Sequence, residues 1–216
     1  MTRPAAIVFD LDGTLIHSAP DLHASMNRML GRLGRAPLDL ETLTGFIGDG
    51  VSTLVARSLE ATGGRTPAEH EEALALFREI YDTHSTDLTR PYPGVTETLA
   101  KLRDEGIALG ICTNKLAGPA AAICKALGLS SFFDEIVGAG PERPAKPDAA
   151  PLRHTLERLG TMPADAIYVG DSNVDLVTAA NAGVPFRLFT GGYFNAPMPD
   201  LPEGATFDDW ADSGLL

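Results

Sequence analysis

The chain has 216 residues, of which 44% are hydrophobic, and its 17 basic and 29 acidic side chains give a formal net charge of −12. A chain of this length and apolar content can bury a core without disulfides, which excludes a disordered protein and favours one large domain with at most a modest insertion. The acidic balance argues against a general nucleic-acid-binding protein, because such proteins need a basic surface.

Targeting and redox signals are sparse. The only two cysteines, Cys112 and Cys124, do not suggest a disulfide framework, and no Cys/His cluster indicates zinc. No apolar stretch approaches the roughly 20 residues that a membrane span needs. We therefore expect a soluble, cytoplasmic protein with no membrane or nucleic-acid partner, whereas the sequence does not indicate an oligomeric state.

Short apolar runs alternate with helical patterns along most of the chain. Near-continuous apolar runs bounded by turns are typical of buried parallel strands, so this alternation predicts an α/β fold with a parallel sheet. The predicted strands are Ala5–Phe9, Leu109–Cys112, Glu135–Gly138, Ile167–Val169 and Phe186–Phe189, and the predicted helices are Val95–Glu105, Ala117–Leu127, Pro151–Leu159 and Asn173–Ala182.

One segment interrupts this alternation. Between about residues 16 and 87 no strand is predicted, and the turn-rich sequence at 90–94 then returns the chain to the α/β pattern. We predict a helical domain over residues 16–87, inserted into a core of residues 1–15 and 88–216; extra helices packed on the sheet are the alternative. The helices predicted in the insert are Asp21–Leu33, Val51–Ala61 and Ala68–His84.

Two carboxylates follow the first predicted strand. Asp10 and Asp12 belong to the sequence Asp-Leu-Asp-Gly-Thr at residues 10–14. Ligands of open α/β sheets bind at the carboxyl ends of the strands. Crowded carboxylates repel one another, and oxygen ligands at such an edge suit Mg²⁺. A turn that carries two solvated acids is the alternative.

A second acidic pair follows the strand predicted at residues 167–169. Asp171 lies at the end of this strand, and Asp175 lies one helical turn further on. If the sheet is parallel, both acids reach the same edge as Asp10. The alternative is that Asp171 is only a helix N-cap.

Candidate anion-binding groups occupy two further places. Thr113, Asn114 and Lys115 follow the strand predicted at residues 109–112, where a hydroxyl and an amide at a helix start can bind an anion. Lys146 lies in a loop before a predicted helix and offers a compact charge for a phosphate oxygen. Ordinary capping and a solvated lysine are the respective alternatives.

Taken together, these motifs resemble the haloacid dehalogenase-like hydrolase superfamily. The resemblance covers nearly the whole chain and implies a Rossmann-like core with an inserted small α-helical cap domain. Narrower matches resemble phosphoglycolate phosphatases, at residues 12–15 with 18–22, 47–50 with 54–55, 91–95, 113–115 and 170–172.

The resemblance implies a phosphoryl-transfer mechanism at the acidic cluster. Asp10 is expected to attack phosphorus, and Asp12 to protonate the leaving group and then activate water. Mg²⁺ is expected to bind the Asp10 carboxylate, the Asp12 backbone carbonyl and Asp171. Asp175 is expected to orient these groups without binding the metal directly, or through a water molecule.

The resemblance also implies roles for the polar groups around this cluster. Thr113 and Lys146 are expected to hold phosphoryl oxygens, with Asn114 nearby and Lys115 adding positive charge. These assignments make a small anionic phosphorylated molecule the expected partner, because the local groups offset the acidity of the whole chain.

The predicted cap carries further candidates. Gly48, Asp49 and Gly50 form a loop whose glycines permit close backbone approach to a substrate, although a simple interhelical turn is the alternative. Arg57 and Arg28 are candidate partners for a substrate carboxylate. His17 departs from the acid that relatives usually carry at this position, which bears on cap closure and substrate preference.

Several other activities can be weighed from the same residues. None of the four lysines lies in the predicted cap, which disfavours a phosphonoacetaldehyde hydrolase because that reaction needs a cap lysine. Asp12 and Asp171 disfavour a haloacid dehalogenase proper. We predict a Mg²⁺-dependent phosphatase that converts 2-phosphoglycolate to glycolate and phosphate through an aspartyl-phosphate. A phosphatase for another small ester or pyrophosphate, a sugar phosphomutase and a non-catalytic acidic binding module are the alternatives.

Overall fold

A computed structural model describes residues 3–194, 198–199 and 201–215. Its strands are β1 (Ala6–Phe9), β2 (Ile16–His17), β3 (Arg90–Pro91), β4 (Ala108–Leu116), β5 (Glu135–Ala139), β6 (Ala166–Gly170), β7 (Phe186–Phe189) and β8 (Thr206–Phe207). Its α-helices are α1 (Ala19–Arg32), α2 (Leu40–Thr44), α3 (Val51–Ala61), α4 (Pro67–His84), α5 (Val95–Asp104), α6 (Ala117–Ala126), α7 (Ala150–Leu159) and α8 (Asn173–Ala182).

The main sheet is parallel throughout, in the order β5–β4–β1–β6–β7–β8. In register, Ala6 of β1 pairs with Ala108 of β4 on one side and with Ala166 of β6 on the other. The carboxyl ends of these three central strands therefore reach the same edge of the sheet. The predicted α/β fold with a Rossmann-like parallel core is confirmed.

Burial of β1 on both faces explains why its sequence is continuously apolar. Ile7 and Phe9 belong to the core that continues under α5, α6 and the helices α1–α4. Ala6 and Val8 point to the opposite face, where they pack with residues of α7 and α8. All four side chains are fully buried, as expected for a strand covered by helices on both sides.

The chain enters and leaves the helical region α1–α4 through a short antiparallel ribbon. The prediction that no strand occurs near residues 16–87 is wrong at this point, because Ile16 and His17 of β2 pair with Pro91 and Arg90 of β3. Two residues are too few to give a recognisable period of two in the sequence.

A buried carboxylate links the chain segment that follows β2 to the segment that precedes β3. Asp21, in the first turn of α1, accepts hydrogen bonds from the backbone N–H groups of Leu88 (3.0 Å) and Thr89 (2.7 Å). The start of α1 is thereby fixed to the segment that returns to the sheet. Among the helices in the described part of the chain, none has the length and apolar character needed to cross a membrane.

The strand β4 continues further than the sequence predicts. It extends to Leu116 with an irregular register after Cys112, so Thr113 and Asn114 lie within a strand rather than at a helix start. The predicted division into a core (1–15 and 88–216) and a cap (16–87) stays a prediction. Residues 1–2, 195–197, 200 and 216 of that division lie outside the described residues.

The junction between β4 and α6 depends on a glycine in β5. A Cβ added at Gly138 would lie 2.5 Å from Ala117 Cα and 2.7 Å from the Lys115 carbonyl oxygen, both of which belong to the backbone. We predict that Gly138→Ala lowers the free energy of unfolding by about 1–3 kcal/mol in urea denaturation. Gly118→Ala is the matched control, because a Cβ there meets nothing within 4 Å. Equal destabilisation by both variants would contradict this account.

Candidate active site

Strand pairing brings the predicted acidic residues together. The backbone N–H of Asp10, one residue beyond β1, donates to the Val169 carbonyl of β6 at 2.8 Å. This pairing sets Asp10 beside Asp171, and the first turn of α8 adds Asp175. Ligand atoms of these three buried carboxylates all lie within 4.8 Å of one another.

Lys146 lies inside this acidic group. Its Nζ donates to Asp10 Oδ1 at 2.8 Å and to Asp175 Oδ1 at 2.6 Å, and its side chain is only 3% exposed. Burial opposes the ammonium charge, but Asp10 and Asp175 outweigh it and raise the pKa of Lys146. Lys146 is therefore charged, and it holds two members of the acidic group at fixed positions.

One ammonium does not neutralise three carboxylates. Burial is the main reason that the pKa of Asp10 rises to about 6, and the charge of Asp175 adds to it. Burial and the charge of Asp175 also raise the pKa of Asp171 well above its usual range. A divalent cation would supply the missing positive charge, so the carboxylates Asp10, Asp171 and Asp175 fit a divalent metal site.

Asp171 is held by donors on both of its oxygens. Thr14 Oγ1 donates to Oδ1 at 2.8 Å, and the backbone N–H of Tyr193 donates to Oδ2 at 2.8 Å. Gly13 lies against this carboxylate with φ of 88°, so any Cβ there would strain the backbone and collide with Asp171. The Asp-Gly-Thr sequence thus positions Asp171 as well as presenting its own carboxylates.

Asp175 has a structural role alongside its place in the cluster. It is the third residue of α8 and forms a capping box with Ser172, so Ser172 rather than Asp171 is the N-cap of this helix. The hydroxyl of Tyr168 donates to Asp175 Oδ1 at 2.9 Å. The fully buried carboxylate is therefore immobilised by its own helix and by β6.

Asn114 connects three parts of the site. Its Nδ2 donates to the carbonyls of Gly48 and Lys146, each at 3.1 Å, and its Oδ1 accepts from the Lys146 backbone N–H at 2.8 Å. The amide thus joins the end of β4 to the Lys146 loop and to the loop before α3. Thr113, immediately before it, is 4% exposed and lines the cavity described next.

A cavity of about 240 Å³ separates this edge of the sheet from the helices α1–α4. A smaller cavity of about 10 Å³ adjoins it and reaches Lys146, Asp171 and Tyr193. Both cavities are bounded by Asp10 and Asp12. The larger is also lined by Thr113, Asn114, Lys115, Leu116 and Pro119 of the core, and by Leu22, Ile47, Gly48, Gly50, Val51, Leu54, Phe77, Arg78, Tyr81 and Asp82 of the helical region.

Asp12 is paired with a lysine on β4. Lys115 Nζ lies 3.1 Å and 3.0 Å from the two Asp12 carboxylate oxygens and donates to the Tyr81 hydroxyl at 3.0 Å. Burial disfavours its charge, but Asp12 and Tyr81 outweigh burial and raise the pKa of Lys115. The side chain of Asp12 is outside the three-carboxylate group.

The two arginines named from the sequence are not among the residues that line the cavity. Arg57 forms an ion pair with Asp49 at 2.6 Å, and Arg28 is exposed on α1. Arg78 of α4 lines the cavity instead, and sequence reasoning missed it. Gly48 and Gly50 do line the cavity, whereas the Asp49 carboxylate is engaged by Arg57.

His17 and Tyr193 meet at the ribbon that joins the two parts of the chain. His17 Nδ1 lies 3.2 Å from the Tyr193 hydroxyl, which also accepts from the Ala19 backbone N–H at 2.9 Å. Partial burial lowers the pKa of His17. Tyr193 therefore contacts the base of α1 through its hydroxyl and Asp171 through its backbone, a role with no motif in the sequence to signal it.

Comparisons with known proteins identify the family to which the chain is similar. The haloacid dehalogenase-like hydrolase family matches residues 7–189. A phosphoglycolate phosphatase of Cereibacter sphaeroides is 45% identical over 202 residues, which are 93% of this chain and 92% of that protein.

Solved structures of other proteins are similar to this chain in fold and sequence. A crystal structure described as a predicted phosphoglycolate phosphatase from Haemophilus somnus has a TM-score of 0.89 and 31% identity, covering 98% of this chain and 97% of that one. The structure of CbbY from Rhodobacter sphaeroides in complex with phosphate has a TM-score of 0.77 and 25% identity, covering 98% and 96%. The chain belongs to the haloacid dehalogenase-like hydrolase family.

Proposed function

We propose that this chain is a Mg²⁺-dependent phosphatase that hydrolyses 2-phosphoglycolate to glycolate and phosphate. The observation that carries the proposal is the buried group of Asp10, Asp171 and Asp175 around Lys146, which opens beside Asp12 into a cavity of about 240 Å³. The substrate is suggested by the phosphoglycolate phosphatase that is 45% identical over most of the chain.

Asp10 is the proposed nucleophile, and Asp12 the proposed acid and base. A carboxylate oxygen of Asp10 forms a bond to phosphorus as the ester P–O bond breaks, and Asp12 gives its proton to the departing glycolate oxygen. Water then attacks the aspartyl-phosphate and loses a proton to Asp12, which frees phosphate and restores Asp10. Lys146 fixes the orientation of Asp10 through the bond to Oδ1.

Phosphatases of this family generally use a divalent metal, and we propose Mg²⁺ here. Asp10, Asp171 and the Asp12 backbone carbonyl would hold it, with Asp175 orienting the group through Lys146. When bound, Mg²⁺ supplies the positive charge that lets an anionic carboxylate approach an anionic phosphoryl group. Thr14 and Tyr193 keep Asp171 in place for this task.

Donors around the transferred group complete the proposed site. Thr113 and Lys146 would face the phosphoryl oxygens, where negative charge spreads in the transition state, with Asn114 nearby. Residues 16–87 are proposed as a cap that excludes bulk water, with Gly48 and Gly50 approaching the substrate closely. Cap closure is supported by the hydrogen bond between Asn114 Nδ2 and the Gly48 carbonyl.

The nucleophile can be tested with a nearly isosteric change. Asp10→Asn should lower kcat for 2-phosphoglycolate by at least about 10³-fold, because an amide cannot form the intermediate. Free phosphate release measures this, and circular dichroism checks the fold. Asp104→Asn, at the exposed end of α5, is the matched control and should keep full activity. Substantial turnover by Asp10→Asn would exclude Asp10 as nucleophile.

Metal binding can be tested through the pH dependence of stability. Without metal, the pKa of Asp10 rises from 3.8 to about 6 on folding, so the folded state binds extra protons and loses stability as pH rises through this range. Mg²⁺ should therefore raise Tm more at about pH 7.5 than at about pH 5, by several degrees.

The control for this measurement is a variant that lacks one metal ligand. Asp171→Asn should weaken the Mg²⁺-dependent rise in Tm at about pH 7.5, because the site then has one carboxylate fewer. An equal rise in Tm at both pH values in the unaltered protein, or an undiminished rise in Asp171→Asn, would contradict a metal site at this carboxylate group.

A further inference from the structure

The ammonium of Lys115 lies at the boundary between the core and the helical region. It is 3.0 Å from Asp12 Oδ2 on the core side and 3.0 Å from the Tyr81 hydroxyl of α4. Its side chain is 8% exposed, and its Nζ also lies 4.9 Å from the centre of the Tyr81 ring. Lys115 therefore lines the cavity as an ammonium that Asp12 and Tyr81 hold in place, shielded from solvent.

The position of Lys115 beside Asp12 indicates where the second anionic group of a substrate could bind. Under the proposed function, on which this inference rests, Asp12 faces the ester oxygen of the substrate. In 2-phosphoglycolate a single methylene separates that oxygen from the carboxylate. The Asp12 carboxyl group also contacts the ammonium of Lys115. A substrate carboxylate one methylene beyond the ester oxygen therefore falls beside Lys115.

The remaining lining of the cavity makes a buried cation necessary for such a substrate. Leu22, Leu54 and Phe77 give much of the cap side an apolar surface. A carboxylate that enters this space loses hydration, which is unfavourable unless it meets a charged donor. Among the described residues, the cations that line this cavity are Lys115, which is buried, and Arg78, which is exposed.

We propose that Lys115, together with the Tyr81 hydroxyl, forms the subsite that binds the substrate's carboxylate and so selects phosphate esters of 2-hydroxy acids. Lys115 is a specificity-determining residue in this arrangement, since it touches the part of the substrate that does not react. Because Tyr81 belongs to α4, the subsite is complete only when the helical region contacts the sheet edge.

The test compares two substrates with the same two-carbon skeleton. Ethyl phosphate carries a methyl group in place of the carboxylate of 2-phosphoglycolate. Lys115→Met should lower kcat/KM for 2-phosphoglycolate by about 10- to 100-fold, mainly through KM, because a charged hydrogen-bond donor is lost. The kcat/KM for ethyl phosphate should fall several-fold less, because this variant removes the partner of Asp12 for both substrates but the carboxylate contact for only one, and Lys115→Arg should recover part of the loss.

Two matched variants separate Lys115 from other lysines and from the other cavity cation. Lys125→Met, on the exposed side of α6, should leave both substrates unaffected. Arg78→Met should keep most of the preference for 2-phosphoglycolate over ethyl phosphate, because the buried charge remains. Tyr81→Phe should reduce that preference less than Lys115→Met does, since it removes only the hydroxyl.

Each contrary result has a distinct meaning. An equal loss on both substrates in Lys115→Met would show that Lys115 acts through Asp12 or the fold, and it would overturn the subsite. A preference abolished by Arg78→Met but kept in Lys115→Met would also overturn it. If the unaltered protein shows no preference for 2-phosphoglycolate over ethyl phosphate, the proposed substrate itself is wrong. This holds even if the protein still releases phosphate from both esters in an Asp10-dependent reaction.

Discussion

Mutual repulsion among buried carboxylates is the constraint around which this molecule is organised. Ligand atoms of Asp10, Asp171 and Asp175, all of them buried, lie within 4.8 Å of one another. Lys146 offsets part of the charge, and the remainder keeps the site receptive to a divalent cation. The acidic excess of the whole chain therefore says little about the local field, which is set by groups within a Debye length of about 8 Å at physiological salt.

The fold was largely predictable, because strong local patterns coincide with the elements that support the site. The apolar run before Asp10 predicts β1, and the helix predicted at Val51–Ala61 is confirmed at both ends. The ribbon of β2 and β3 escaped prediction because each strand has only two residues. The short helix α2 (Leu40–Thr44) was missed for the same reason, since one turn gives no amphipathic repeat.

The acidic residues of the candidate site were predictable from the sequence, but the hydrogen-bond and ion-pair partners within the site were not. The convergence of Asp10 and Asp171 follows from parallel strands alone. The partners of Lys115 could not be predicted, because the apolar pattern of β4 ends at Cys112 and Tyr81 is distant in sequence. The irregular register of β4 after Cys112 adds to this, because the simple alternation of side chains along a strand does not hold there.

Tyr193 has a consequence for the order in which the protein can become functional. Its backbone N–H donates to Asp171, and its hydroxyl accepts from the start of α1, so one residue braces two elements that are distant from each other in sequence. The segments that carry Asp10, Asp171 and Asp175 therefore do not complete the carboxylate group by themselves. Asp171 gains the donor to its second oxygen only when residue 193 has folded back against it, so this contact must form late relative to the strand pairing that brings Asp10 and Asp171 together.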